Sequence, residues 1–157
     1  MTTLDDPAFG ELSDYEHGWR RRYGISIFGE EREIDIRIET EAEPTQQQRE
    51  TFLRFEYNKE SIIRNIEKSI YEYYISIIDG RRNDFGDSKD EMMPIIADVE
   101  GMGTVVSPEV ILLSDWDPPH DKRIGFLFDC TWDEDHGVGV ELTDNEVTGV
   151  GDQDIVL

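Results

Sequence analysis

The sequence predicts an α+β domain: an antiparallel sheet of about five to six strands, with one long helix and shorter helices packed on one face. Three observations predict it. Apolar residues alternate with polar ones along 23–28 and again along 34–38, the period of a strand with one buried face. Between Lys59 and Asp79 they recur every three or four residues, the period of a helix stripe. The last third returns to short apolar runs broken by Gly, Asp and Asn, so the helices lie between two groups of strands.

Residues 1–18 are polar and acidic, broken by Pro7, Gly10 and Gly18. They read as an acidic N-terminal arm, or a chain start tied down at Phe9 or Tyr15. Residues 19–157 read as a single α+β domain. Tyr23, Ile25 and Ile27 share one face. Gly29-Glu30 makes a turn, and Ile34, Ile36 and Ile38 face them across a hairpin. Pro44-Thr45 opens the helical part. Thr45 and Gln48 have capping-box spacing, and a helix follows to about Tyr57 with Phe52, Phe55 and Leu53 inward. Asn58 breaks it. Ile62, Ile63, Ile66, Ile70, Tyr73, Tyr74, Ile77 and Ile78 then form one stripe of a long helix that Gly80 ends. Residues 81–90 are a polar loop. A short helix is expected over 91–99, starting near Met93 because Pro94 is tolerated only in a first turn. Residues 105–113 make a strand in which Pro108 marks an edge or a start. Strands at 124–130, 138–142 and 146–150 complete the chain, the last two joined by the turn Asp144-Asn145.

The 157 residues suffice for one domain with its own core, at a size where about 70% of the unfolded surface is buried. The single cysteine, Cys130, cannot close an internal disulfide, which fits a reducing compartment. The N-terminal stretch has no apolar run, and nothing approaches the ~20 apolar residues of a membrane span. A cytoplasmic protein is expected. There are 37 acids against 15 Lys and Arg, a net charge of −22. Such a field repels nucleic acid and anionic membranes, and it attracts a basic partner and speeds its association. Neither nucleic acid nor a membrane is expected as a partner. Solvated surface is the plainer account of the acidity. A salt-adapted proteome is another, against which the many isoleucines count.

One stretch concentrates polar chemistry: Cys130-Thr131-Trp132-Asp133-Glu134-Asp135-His136-Gly137-Val138-Gly139-Val140, joining two expected strands. Calcium needs six to eight oxygens, and Asp133, Asp135 and Gly137 echo its best-known loop only faintly. Zinc needs more His or Cys. Glu134 and His136 have the chemistry of a general acid and base. Yet no serine is near, Cys130 falls inside an apolar strand, and no phosphate loop or hydrolase motif is present. A turn accounts for more. Asp side chains bond nearby backbone, Gly137 supplies a positive φ, Gly139 a close approach, and Trp132 covers one end of the core. No cofactor and no metal are expected.

The same residues, with Glu146-Val147-Thr148-Gly149-Val150-Gly151-Asp152-Gln153-Asp154-Ile155, resemble the C-terminal signature of a bacterial domain family of unknown function, the DUF6985 type: a strand, W-D-x-E-H-G-hydrophobic-G-V, a short hairpin, then V-G-x-x-D. Asp135 stands where the family pattern has Glu. The Ile- and Tyr-rich helix ending in Tyr73-Tyr74 is also similar. The resemblance implies an α+β domain and no settled activity.

By general type, small acidic proteins of this kind often neutralise toxins of contact-dependent or secreted systems. A toxin that attacks nucleic acid carries a basic cleft, which an acidic inhibitor can plug with aromatic anchors. Trp19, Trp116 and Trp132 are the candidate anchors. The expected partner-binding residues are Asp115, Trp116, Asp117 and His120 in a proline-stiffened loop. Trp132, Asp133, Glu134, Asp135 and His136 in the turn join them, with Asp152 and Asp154 beside it if the last strands pair. The expected function is a non-enzymatic immunity protein for a basic, nucleic-acid-targeting toxin. The alternatives are a metal-dependent or hydrolytic enzyme built on the Asp133–His136 turn, and a nucleic-acid mimic that competes with DNA. The run Arg20-Arg21-Arg22, the one basic cluster, is expected to pair with the chain's own acids.

Overall fold

A computed structural model describes residues 2–116 and 122–157. The alternation at 23–38 becomes two long strands, β3 (Gly18–Ile27) and β4 (Glu30–Glu39), with Tyr23 opposite Ile34 and Arg21 opposite Ile36. Their turn is Phe28-Gly29, both at positive φ, a shape Gly adopts freely and Phe rarely. Burial of the Phe28 ring and a 2.5 Å hydrogen bond from its N–H to Glu67 hold it there. Before them come β1 (Thr3–Asp6) and β2 (Gly10–Tyr15). After them come α1 (Gln46–Tyr57), α2 (Lys59–Arg81), a 3-10 helix (Arg82–Ser88), the single turn α3 (Lys89–Met92) and a second 3-10 helix (Glu100–Thr104). Strands β5 (Val106–Ser114), β6 (Arg123–Cys130), β7 (Val138–Thr143) and β8 (Glu146–Gly151) follow, then a 3-10 helix at Gln153–Val156.

All eight strands form one sheet in chain order, β1 to β8. Neighbours are antiparallel except β4 and β5, which run parallel, and the helices fill the crossover that a parallel pair requires. The expectation of five or six strands with helices packed on one face is therefore overturned: the fold is sheet-rich, with eight strands and one long helix among the described residues. The added strands β1 and β2 come from the stretch read as an arm. There the apolar alternation is too short to mark a strand: Leu4 and Leu12 pair across the hairpin on the face that buries Asp6, and acids and turn residues separate them along the chain. Leu12 and Phe9 are fully buried all the same, and Asp6 is buried with them.

Two other expectations change. The helix foreseen over 91–99 is reduced to α3, which ends before Pro94. The strand carrying Pro108 is central, between β4 and β5's other neighbour β6, and a register shift between Pro108 and Val110 accommodates the missing donor. The first helix starts as read: the Thr45 hydroxyl accepts from Gln48 N–H and the Gln48 side chain accepts from Thr45 N–H. Phe52 and Phe55 are buried, but Leu53, expected with them, faces solvent because it lies off the Phe52–Phe55 face.

The inner face of the sheet supplies Ile25, Ile36, Ile111, Phe126 and Val140 to one core with Phe52, Phe55, Ile66, Ile70 and Tyr74 of the helices. Phe52 packs on Phe9 and Tyr23, and Phe55 on Phe126. The outer face of β6 and β7 has its own cover. Gly125 and Gly139 leave room there for the C-terminal 3-10 helix: a Cβ on Gly125 would stand 2.9 Å from Val156, and one on Gly139 2.8 Å from the Asp152 carbonyl. Helical structure thus lies against both faces.

Candidate functional site

The turn between β6 and β7 is built by its own side chains. Asp133 accepts from His136 N–H (3.2 Å) and lies 3.0 Å from His136 Nδ1, while Gly137 N–H donates to the Asp133 carbonyl (2.9 Å). Gly137 takes φ +57°, and a Cβ there would collide with the Phe128 carbonyl and the Gln153 amide. Trp132 is buried against Tyr74, ring centroids 5.0 Å apart. Thr131 ties the turn to the helical crossover through Met92 O (2.7 Å). Gln153 N–H donates to His136 O, which brings Asp152 and Asp154 beside His136. Asp133, by its hydrogen bond and its charge, holds the exposed imidazole above its usual range, with smaller help from Asp152 and Asp154. Glu134 and Asp135 point to solvent. Burial pushes the Cys130 thiol up to about 11, so little thiolate forms at neutral pH.

Asp115 and Trp116 lie after β5, at the other end of the sheet. Arg123 sits 4.9 Å from the Trp116 ring centroid. Asp117 and His120 lie outside the described residues. The eight residues of β6, at about 3.3 Å each, set Asp115 and Trp116 roughly 23 Å from the β6–β7 turn. These described residues do not form one site with the turn. Arg22 pairs with Asp35 (2.9 Å) and Arg21 donates to the Phe9 carbonyl (2.6 Å), so two of the three arginines serve the fold.

The structure assembles a different place around Asp115. A cleft of about 1000 Å³ opens where the β2–β3 turn, the end of β4, the segment 40–45 and Asp115 meet. Among the described residues its walls carry five carboxylates, Glu16, Glu39, Glu41, Glu43 and Asp115, with Tyr15, His17 and Trp19 among them, and no Lys or Arg. The frame is tied at several points. Trp19 Nε1–H donates to Ala42 O (2.7 Å), Thr40 N–H to His17 O (3.1 Å), and the Gln48 amide to the Glu39 and Leu113 carbonyls (2.9 and 3.3 Å). Ser114 Oγ–H donates to Glu39 (2.5 Å). The Tyr15 hydroxyl is buried and has no hydrogen-bond partner among the described residues, and burial, then the nearby Glu39 charge, push it up to about 12 against the opposing Arg37 charge. Sequence reasoning singled out Asp115 and Trp19 but missed the rest, because the lining comes from three distant segments of ordinary turn residues. The one signal was the acid density from Glu39 to Glu43.

Among the described residues no three His, Cys, Asp or Glu side chains come together as metal ligands. No helix there is long and apolar enough to cross a membrane.

A family model, Domain of unknown function (DUF6985), matches residues 8–157. The chain belongs to this family. The DUF6985 match takes in both the cleft and the β6–β7 turn. No curated protein and no solved structure matches the chain.

Proposed function

We propose that this member of DUF6985 is a non-enzymatic binding protein of the cytoplasm that captures a basic protein, in the manner of an immunity protein occluding the nucleic-acid-binding site of a toxin. The observation that carries the reading is the cleft, where, among the described residues, five carboxylates and three aromatic rings line the walls without one Lys or Arg. A net charge of −22 would steer a basic partner toward it from a distance. The β6–β7 turn supports binding or architecture over chemistry. Its aspartate caps its own loop, its histidine is exposed and its thiol is protonated.

Affinity capture from the host's lysate at low and high salt, followed by mass spectrometry, tests the reading. A single basic protein retained at low salt and released at high salt is expected. That protein expressed alone should arrest growth, and co-expression of this chain should relieve the arrest. Capture of nothing basic, or arrest that co-expression leaves unchanged, rejects the reading. Competition of the captured protein with DNA for the same cleft would move the reading to the nucleic-acid mimic.

A further inference from the structure

We propose that α2 and the segment after α3 form the contact of a symmetric homodimer: a second copy of this chain docks on the apolar patch around Ile75 and Ile95, with the two α2 helices antiparallel. The inference goes beyond the binding reading above and does not depend on it.

Opposite the stripe that enters the core, α2 shows solvent a second one: Arg64, Lys68, Glu72, Ile75 and Asp79, three or four residues apart and all exposed. Ile75 in this stripe is 47% exposed, and Ile95 of the neighbouring segment is 78% exposed. With the half-buried Ile78 and Ile96 they line a groove of about 400 Å³, rimmed by Asp79 and Arg82. Apolar surface rimmed by polar groups in this way marks a contact site. Ile95 does not sit on a loose loop. The Tyr74 hydroxyl donates to the Pro94 carbonyl (2.6 Å), the Tyr71 hydroxyl to the Ile96 carbonyl (3.0 Å) and Arg82 Nε–H to the Met93 carbonyl (2.9 Å). A fixed knob therefore stands beside a groove. A surface that carries both can meet its own copy across a two-fold axis, where every contact occurs twice.

Charge decides the occupant. The chain carries a net −22, yet α2 holds four cations and four acids and so contributes nothing to it. A basic partner is drawn to the acidic surfaces elsewhere, and a second acidic chain is repelled least here. Within α2 the charge is graded. Residues 59–68 hold Lys59, Arg64 and Lys68 against Glu60 and Glu67. Residues 72–81 hold Glu72 and Asp79 against Arg81, and Asp84 and Asp87 follow. Antiparallel packing lays the basic half of one copy on the acidic half of the other and sets the helix dipoles head to tail. With the axis between Glu72 and Ile75, Lys68 of each copy stands opposite Asp79 of the other. Lys68 meets Glu72 only at 3.8 Å, and Asp79 makes no ion pair among the described residues.

Sedimentation velocity on the full chain, from about 1 to 500 µM in about 0.3 M sodium chloride to screen the repulsion between two acidic chains, reads the assembly directly. A shift from one chain to two with rising concentration is expected. Ile95→Asp should weaken the dimer about tenfold or more, with circular dichroism and melting unchanged because the side chain is exposed. Lys68→Glu and Asp79→Lys should each weaken it, and the exchange Lys68→Glu/Asp79→Lys should restore it, which loss of fold would not do. One chain at every concentration, a dimer that Ile95→Asp leaves unchanged, or an exchange variant as weak as either single one would overturn the proposal. So would a chain that is monomeric alone and covers Ile75 and Ile95 only in complex with a captured basic protein, an outcome that would assign the patch to that partner.

Discussion

Gly137 and His136 sit side by side in the β6–β7 turn and answer to different forces. Gly137 is required by its backbone: φ is +57° and its missing Cβ is the space that the Phe128 carbonyl and Gln153 occupy. Gly137→Ala should cost about 2–3 kcal/mol, the sum of left-handed strain and local overpacking, and urea unfolding would measure it. A change within experimental error would mean that the turn relaxes. His136 is an electrostatic matter. Asp133 raises its pKa, so an NMR titration should place its midpoint above the ordinary ~6.5, and Asp133→Asn should bring it back down. The sign for stability follows. The contact contributes below the unfolded-state pKa and is lost as pH rises through the raised folded value. Both residues stood out in the sequence, where their spacing marked a turn. The sequence also placed Asp152 and Asp154 beside the turn on condition that the last strands pair, as β7 and β8 do; what it could not reveal was that Gln153 closes the turn from behind through the His136 carbonyl.

At the scale of elements, the N-terminal hairpin of β1 and β2 depends on Asp6. Its buried carboxylate accepts from Ala8 and Phe9 N–H at 2.9 and 3.0 Å and pairs with Arg49 of α1 at 2.7 Å. Burial alone would raise its pKa, but Arg49 and the two N–H groups win and hold it below the usual carboxylate value. Its contribution is therefore present above the unfolded pKa and lost as pH falls through the depressed folded one. Asp6→Ala strands Arg49 beside a cavity and should cost about 3–5 kcal/mol. Hydrogen exchange should show faster amides in β1 and β2 with β5 to β7 unchanged, and uniform acceleration throughout would show that the hairpin is not a separate unit. These strands were illegible in the sequence because a buried salt bridge does the work that alternating aliphatics do in β3 and β4. The C-terminal 3-10 helix was hidden for a similar reason. Gly125 and Gly139 are visible in the sequence, but their purpose appears only when Val156 and Asp152 are seen lying on them.

For the whole molecule, 37 acids on one small fold repel one another. Between about 0.01 M and 1 M sodium chloride the screening length drops from roughly 30 Å to 3 Å, so thermal unfolding should shift upward by several degrees. A downward shift in calorimetry would mean that ion pairs such as Arg49–Asp6 and Arg123–Glu141 outweigh the repulsion. The sequence by itself determined the acidity, the β3–β4 hairpin, the capped α1, the long α2 stripe and the turn at Asp133–Gly137, since each is encoded by neighbours within one turn or one strand. Tertiary structure alone decided the count of eight strands, the central place of β5, the two covered faces and the position of the cleft. Each of these depends on residues that meet only after the helical crossover has set β4 beside β5. Tyr15, Glu39 and Asp115 share a cavity because of that single parallel pairing, and no local pattern records it.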